Sequence, residues 1–127
     1  MAGSLIISMP VGEGTPGVSV SIGGDWYARV VDGARRFFPS GSEHYVEKIY
    51  GAGDASGEDW ADLSTLSEEE FNVFCQAIIK SIEHQMRELF DKEGRPWPTV
   101  DGTPVDHEIL TKLKSDARYD VAFIPSK

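Results

Sequence analysis

Hydrophobic positions along this chain change period several times, and each change marks an element. Leu5-Ile6-Ile7-Ser8-Met9 is a short apolar run ended by Pro10, which predicts a strand. Val18, Val20 and Ile22 alternate with Ser19 and Ser21, a period of two that predicts a second strand with one buried face. Between them, the glycines at 12, 14 and 17 with Pro16 predict a turn or loop. Trp26, Tyr27, Val30, Val31, Ala34, Phe37 and Phe38 then recur at helical spacing. They predict an amphipathic α-helix, with Asp25 as its N-cap and Pro39 to Gly41 as its end.

From Ser42, Tyr45, Val46, Ile49 and Tyr50 share a side, and both a capped short helix and a strand remain open there. Gly51 to Leu66 reads as an ordered, acidic, irregular loop anchored by Trp60, Leu63 and Leu66. Ser67 and Glu70 then match the capping box, in which each side chain bonds the other's backbone amide. Phe71, Phe74, Cys75, Ile78, Ile79, Ile82, Met86, Leu89 and Phe90 continue as one apolar stripe, until Gly94 and Pro96 stop it. A helix of about 25 residues over 67–93 would be roughly 37 Å long and would form the spine of the core. Thr103 and Pro104 suit the start of another helix, with Val105, Ile109, Leu110 and Leu113 facing inward. Tyr119 to Ile124 predicts a last strand, ended by Pro125. The order predicts a single α+β domain over 1–127: a small, mostly antiparallel sheet packed against helices, one of them long.

Composition narrows the partners. The 127 residues are 40% hydrophobic, enough for one packed core. Twenty-one acids against 12 lysines and arginines give a net charge of −9. Nucleic-acid phosphates and anionic membranes both call for a basic face, so neither is expected as a partner. The single cysteine, Cys75, excludes an intramolecular disulfide and fits a reducing cytoplasm. No apolar run approaches bilayer length, and no basic region precedes Leu5-Ile6-Ile7 as in a signal peptide. A soluble cytoplasmic protein is expected.

Candidate chemistry is sparse. His84 and Glu88 sit one turn apart, but without a third ligand a solvated pair is expected and not a metal site. His44 beside Glu43, and His107 between Asp106 and Glu108, are the candidate general bases; His44 has no nucleophile nearby, and the helix dipole accounts for Asp106 and Glu108 without catalysis. Cys75 lies on the apolar stripe, where a thiol is inert. Gly12-x-Gly14-x-x-Gly17 matches the dinucleotide pattern by letter but precedes a strand, and Gly23-Gly24-Asp25 lacks a P-loop lysine. Both read as turns, and no cofactor is expected. Arg35 and Arg36 form either a solvated helix face or an ion pair to the acidic loop.

The least symmetric feature is the stretch between Lys48 and Lys80, which has no lysine or arginine. It carries Asp54, Glu58, Asp59, Asp62, Glu68, Glu69 and Glu70, with Trp60 in their midst. Glu68 to Glu70 also suit a helix N-terminus, where the dipole favours acids. Asp54, Glu58, Asp59 and Asp62 have no such folding role in sight. A one-signed surface containing an aromatic steers a basic protein toward it and gives it an anchor. The expected partner-binding residues are Asp54, Glu58, Asp59, Trp60, Asp62, Glu68 and Glu69.

In size, charge, low cysteine content and absence of a catalytic motif, the chain resembles the immunity proteins of contact-dependent and polymorphic bacterial toxin systems. The resemblance implies a non-enzymatic protein that occludes the active site of a basic, nuclease-type toxin with an acidic face. Two rivals are an adaptor or regulatory protein using the same face, and a small enzyme built around His44 or His107.

Overall fold

The computed structural model describes residues 2–8, 17–23, 26–57, 60–94, 99–100, 103–104 and 107–120. Strand β1 (Ala2–Ser8) pairs antiparallel with β2 (Val18–Gly23) in the register Leu5 opposite Val20. Strand β3 (Trp60–Asp62) joins the other edge of β1 in parallel, with Leu5 opposite Ala61, so the order is β2-β1-β3. The period of two holds: Leu5, Ile7, Val20, Ile22 and Ala61 are buried. Gly3 lies on the same face, and the buried Tyr27 ring packs directly on it. A Cβ at Gly3 would collide with Cγ and Cδ2 of the Tyr27 ring, so only glycine fits.

The 27–37 region is helical but not α-helical. Tyr27–Val31 forms a π-helix and Asp32–Phe37 a 3₁₀-helix. A switch from i→i+5 to i→i+3 bonding cannot keep every carbonyl at the junction inside the helical ladder. Buried hydroxyls from two other helices bond carbonyls at this junction. Ser81 Oγ donates to Val30 O at 2.8 Å, and the Tyr50 hydroxyl donates to Val31 O at 2.6 Å. Apolar periodicity predicts the buried face of this segment, and Val30, Val31 and Ala34 are buried as it requires. It does not encode these distant hydroxyls. The expected cap at Asp25 lies outside the described residues.

Helix α1 (Glu43–Ser56) settles the open choice after Ser42 and runs further than expected. Its buried side carries Ile49, Tyr50 and Gly53, at helical spacing. Ser42 makes no side-chain cap; its hydroxyl donates to Pro39 O instead. The predicted irregular loop over 51–66 is therefore corrected. Its first six residues are helix up to the left-handed Gly57 (φ 74°), and Trp60 opens β3. Glycines at 51 and 53 suggested a loop, but burial of Gly53 favours a residue without a side chain there.

Helix α2 (Glu68–Glu93) has 26 residues and is the predicted spine. Ser67 and Glu70 form the complete capping box, and Gly94 ends the helix at φ 61°. Phe71, Phe74, Cys75, Ile78, Ile82 and Leu89 are buried. Phe90 is not: it is 70% exposed. Leu89 takes the inward position, and its neighbour, one residue on, points about 100° away.

The start predicted at Thr103 and Pro104 is also corrected. These two residues form β5, antiparallel to β4 (Thr99–Val100), and helix α3 (His107–Lys114) begins later. Ile109 and Leu113 of α3 join the core. Of the predicted last strand, Tyr119 and Asp120 are not in a strand; the remainder lies outside the described residues. The result is an α+β fold, with a three-stranded mixed sheet and one contiguous core.

Candidate functional site

The acidic segment runs from the end of α1, through β3, to the first turn of α2. Glu58 and Asp59 lie outside the described residues. The other predicted site residues divide by what holds them. Arg35 grips Asp54 with two parallel bonds, Nη1 to Oδ2 at 2.8 Å and Nη2 to Oδ1 at 2.6 Å. The same guanidinium approaches Asp32 Oδ1 at 2.7 Å and lies over the Tyr50 ring, 4.2 Å from its centroid. The hydrogen bond from Arg35 holds the Asp54 carboxyl below the usual aspartate range. The ion pair from the arginine pair to the acidic segment is thus formed, and much of the Asp54 charge is matched within the fold.

Asp62 faces its own turn. Its Oδ1 accepts from the Ser64 amide at 2.9 Å and from the Ser64 hydroxyl at 2.6 Å. This is the local role that Asp side chains take at a bend. Trp60 is half-buried at the start of β3. Glu70 is engaged by the cap and by Lys48 Nζ at 2.9 Å. Burial opposes its ionisation, but the Ser67 and Lys48 hydrogen bonds outweigh that and lower its pKa. Glu68 and Glu69 are exposed in the first turn of α2.

Tyr45 of α1 belongs with this group, which sequence reasoning missed. Burial first, and then the charges of Glu69 and Glu70, raise its phenol pKa, so α1 runs beside the start of α2. Glu43 and Glu47 add exposed carboxylates on α1. The spacing of Tyr45 and Lys48, three residues apart, was the available signal, since such neighbours share a helix face.

Behind this segment sits a second guanidinium that the sequence did not mark. Arg118 Nη1 donates to Leu63 O at 2.7 Å and Leu66 O at 3.1 Å. Its Nη2 donates to Ile7 O at 2.9 Å and Asp116 Oδ2 at 3.0 Å, and its Nε to Asp116 Oδ1 at 2.9 Å. Asn72, buried on α2, donates to Glu68 O and Arg118 O and accepts from the Asp120 amide. A D-x-R triplet after a helix is too common to have flagged this anchor.

The candidate general bases stand apart from each other. His44 is exposed, its ring 4.3 Å from that of Tyr45, and His107 is exposed beside Thr111 Oγ1 at 3.4 Å. Cys75 is buried, and desolvation pushes its thiol up to about 12, far from a reactive thiolate. His84 Nε2 lies 3.2 Å from Glu88 Oε1 and 3.5 Å from Arg36 Nη1, a surface cluster joining the 3₁₀ turn to α2. Among the described residues no group of three or more His, Cys, Asp or Glu could hold a metal ion. Among them, too, no helix is long and apolar enough to cross a membrane. Of the dinucleotide-like glycines, Gly12 and Gly14 lie outside the described residues, and Gly17 leads into β2.

The sequence matches no protein-family model and no curated protein. The fold does have a solved counterpart. It is similar to the immunity protein in the structure of the CdiA-CT toxin from Burkholderia pseudomallei E479 in complex with its cognate CdiI immunity protein. The TM-score is 0.66 at 20% identity, over 91% of this chain and 97% of that chain. The likeness spans nearly the whole of both chains and establishes a shared fold.

Proposed function

We propose that this chain is an immunity protein: a non-enzymatic, cytoplasmic bacterial protein that binds a cognate toxin and blocks its active site. The observation that carries the reading is the likeness of fold to a toxin-bound immunity protein over 91% of this chain. The negative charge supports it independently, since neutralising a basic toxin suits a protein of charge −9.

The occluding surface is assigned to Asp54, Glu58, Asp59, Trp60, Asp62, Glu68 and Glu69, with Tyr45 near Glu69. Arg35 already matches Asp54, and Asp62 is turned toward Ser64. The weight of the contact therefore falls on Glu68 and Glu69, whose carboxylates face solvent, and on Trp60 as the aromatic anchor. The partner is a basic domain of nuclease type. Substrate phosphates bind such a site through its positive charge, and a carboxylate-rich surface competes for the same field.

The reading requires a toxin domain encoded beside this gene, and co-expression with that domain tests it. The wild-type protein is expected to restore growth of cells making the toxin. Growth arrest that persists despite soluble immunity protein would overturn it.

A further inference from the structure

We propose that Arg118 is the positioning residue of the partner-binding face, a role that rests on the immunity reading above. All five N–H donors of its guanidinium are engaged, three on carbonyls and two on Asp116. The plane also lies over Phe71, 4.2 Å from the ring centroid, and the side chain is only 20% exposed. Two of the carbonyls, Leu63 and Leu66, bracket the turn between β3 and α2. That turn carries Asp62 before it and Glu68 and Glu69 after it. The third carbonyl, Ile7, belongs to the central strand. One side chain thus ties the acidic turn to the sheet.

Asn72 closes the arrangement from the other side. Its amide nitrogen joins Glu68 O to Arg118 O at 2.8 and 2.7 Å, and its oxygen receives the Asp120 amide at 2.8 Å. The 116–120 stretch is therefore fastened to the start of α2 and to the acidic turn at once. Asp116 matches the Arg118 charge, and among the described residues no carboxylate of the proposed face pairs with it. Arg118 fixes the face without dimming its negative field. A lysine cannot replace it, having a point charge and no planar fork.

Two readouts test this in Arg118→Lys, which keeps the charge. Amide hydrogen exchange at Leu63 and Leu66 is expected to rise at least about tenfold, while Ile78 to Leu89 stay protected, as local opening implies. Dissociation from the captured toxin domain is expected to quicken by about tenfold with association unchanged, because steering depends on net charge and residence on geometry. Unchanged exchange at Leu63 and Leu66 overturns the clamp. Slower association with unchanged dissociation overturns the positioning role.

If Arg118→Lys does not fold, the wild-type protein in low denaturant decides. Exchange of Leu63, Leu66, Tyr119 and Asp120 with one common opening energy supports the clamp, and independent openings overturn it. A wild-type protein that captures no toxin domain defeats the immunity reading, while the exchange measurements still judge the clamp.

Discussion

Each end of the acidic stretch is held by an arginine lying 4.2 Å over an aromatic ring, Arg35 on Tyr50 and Arg118 on Phe71. The two do opposite things to the surface. Arg35 binds a carboxylate of the stretch itself, Asp54, and so subtracts from its charge. Arg118 pairs with Asp116, outside the stretch, and reaches the acidic turn only through main-chain carbonyls. The settings differ as well: the Asp54 side chain is 54% exposed, whereas that of Asp116 is 13% exposed. Arginine beside acid therefore does not identify a role; what the fork's remaining donors touch decides it.

The largest expected effect separates the two arginines. Arg118→Ala removes five side-chain hydrogen bonds, three to carbonyls and two to a largely buried Asp116 that keeps only the residue-118 amide as a donor here, and should cost about 3 kcal/mol of stability. Arg35→Ala breaks a partly exposed pair and its stack on Tyr50, and should cost less, about 1–2 kcal/mol. Chemical denaturation of both variants measures the difference, and equal losses would erase the distinction. Asn72→Ala comes next, at about 2–3 kcal/mol, for three hydrogen bonds at a buried site. It should loosen the 116–120 stretch, seen as faster exchange at the Asp120 amide. Ser67→Ala removes the cap that starts α2 and should cost about 1 kcal/mol without affecting Arg118 or Arg35.

These contrasts also explain what could be read from the sequence. The capping box, the left-handed Gly94 and the long stripe were legible because each is a local pattern with one mechanical meaning. Val20 and Ile22 were legible from strand alternation, and Leu5 from the apolar run that ends at Pro10. Glycines at 51 and 53 misled, because a glycine inside a helix, as at the buried Gly53, looks in sequence like a glycine in a loop. Thr103 and Pro104 misled because a cap-like pair also suits a short strand. The π-to-3₁₀ junction depends on Ser81 and Tyr50, residues about 20 to 50 positions away, so no window could show it. At the site, charge asymmetry marked the acidic segment. The residues that fix it, Arg118 and Asn72, act over long sequence separations and left no local trace.

The smallest expected effect concerns acid. Hydrogen bonds from Arg118 and Arg35 hold the Asp116 and Asp54 carboxyls below the ordinary aspartate value. A folded-state pKa that is depressed adds stability above the unfolded value, about 3.9, and loses it as pH falls through the folded value. Asp116→Asn should flatten the acid limb of the stability profile below about pH 4 more than Asp54→Asn does, because Asp54 is better solvated. Thermal unfolding from pH 2 to 7 gives the comparison, and identical limbs would contradict it.

In the proposed complex the acidic face, and in particular Glu68 and Glu69, meets a basic toxin. Stopped-flow association with the toxin domain at low and high salt tests it most directly. The wild-type protein should associate rapidly at low salt and slow steeply as salt rises. Glu68→Lys with Glu69→Lys should slow association and flatten that dependence. Association rates and salt dependence unchanged by the double charge reversal would contradict the claim and place the interface elsewhere on the molecule.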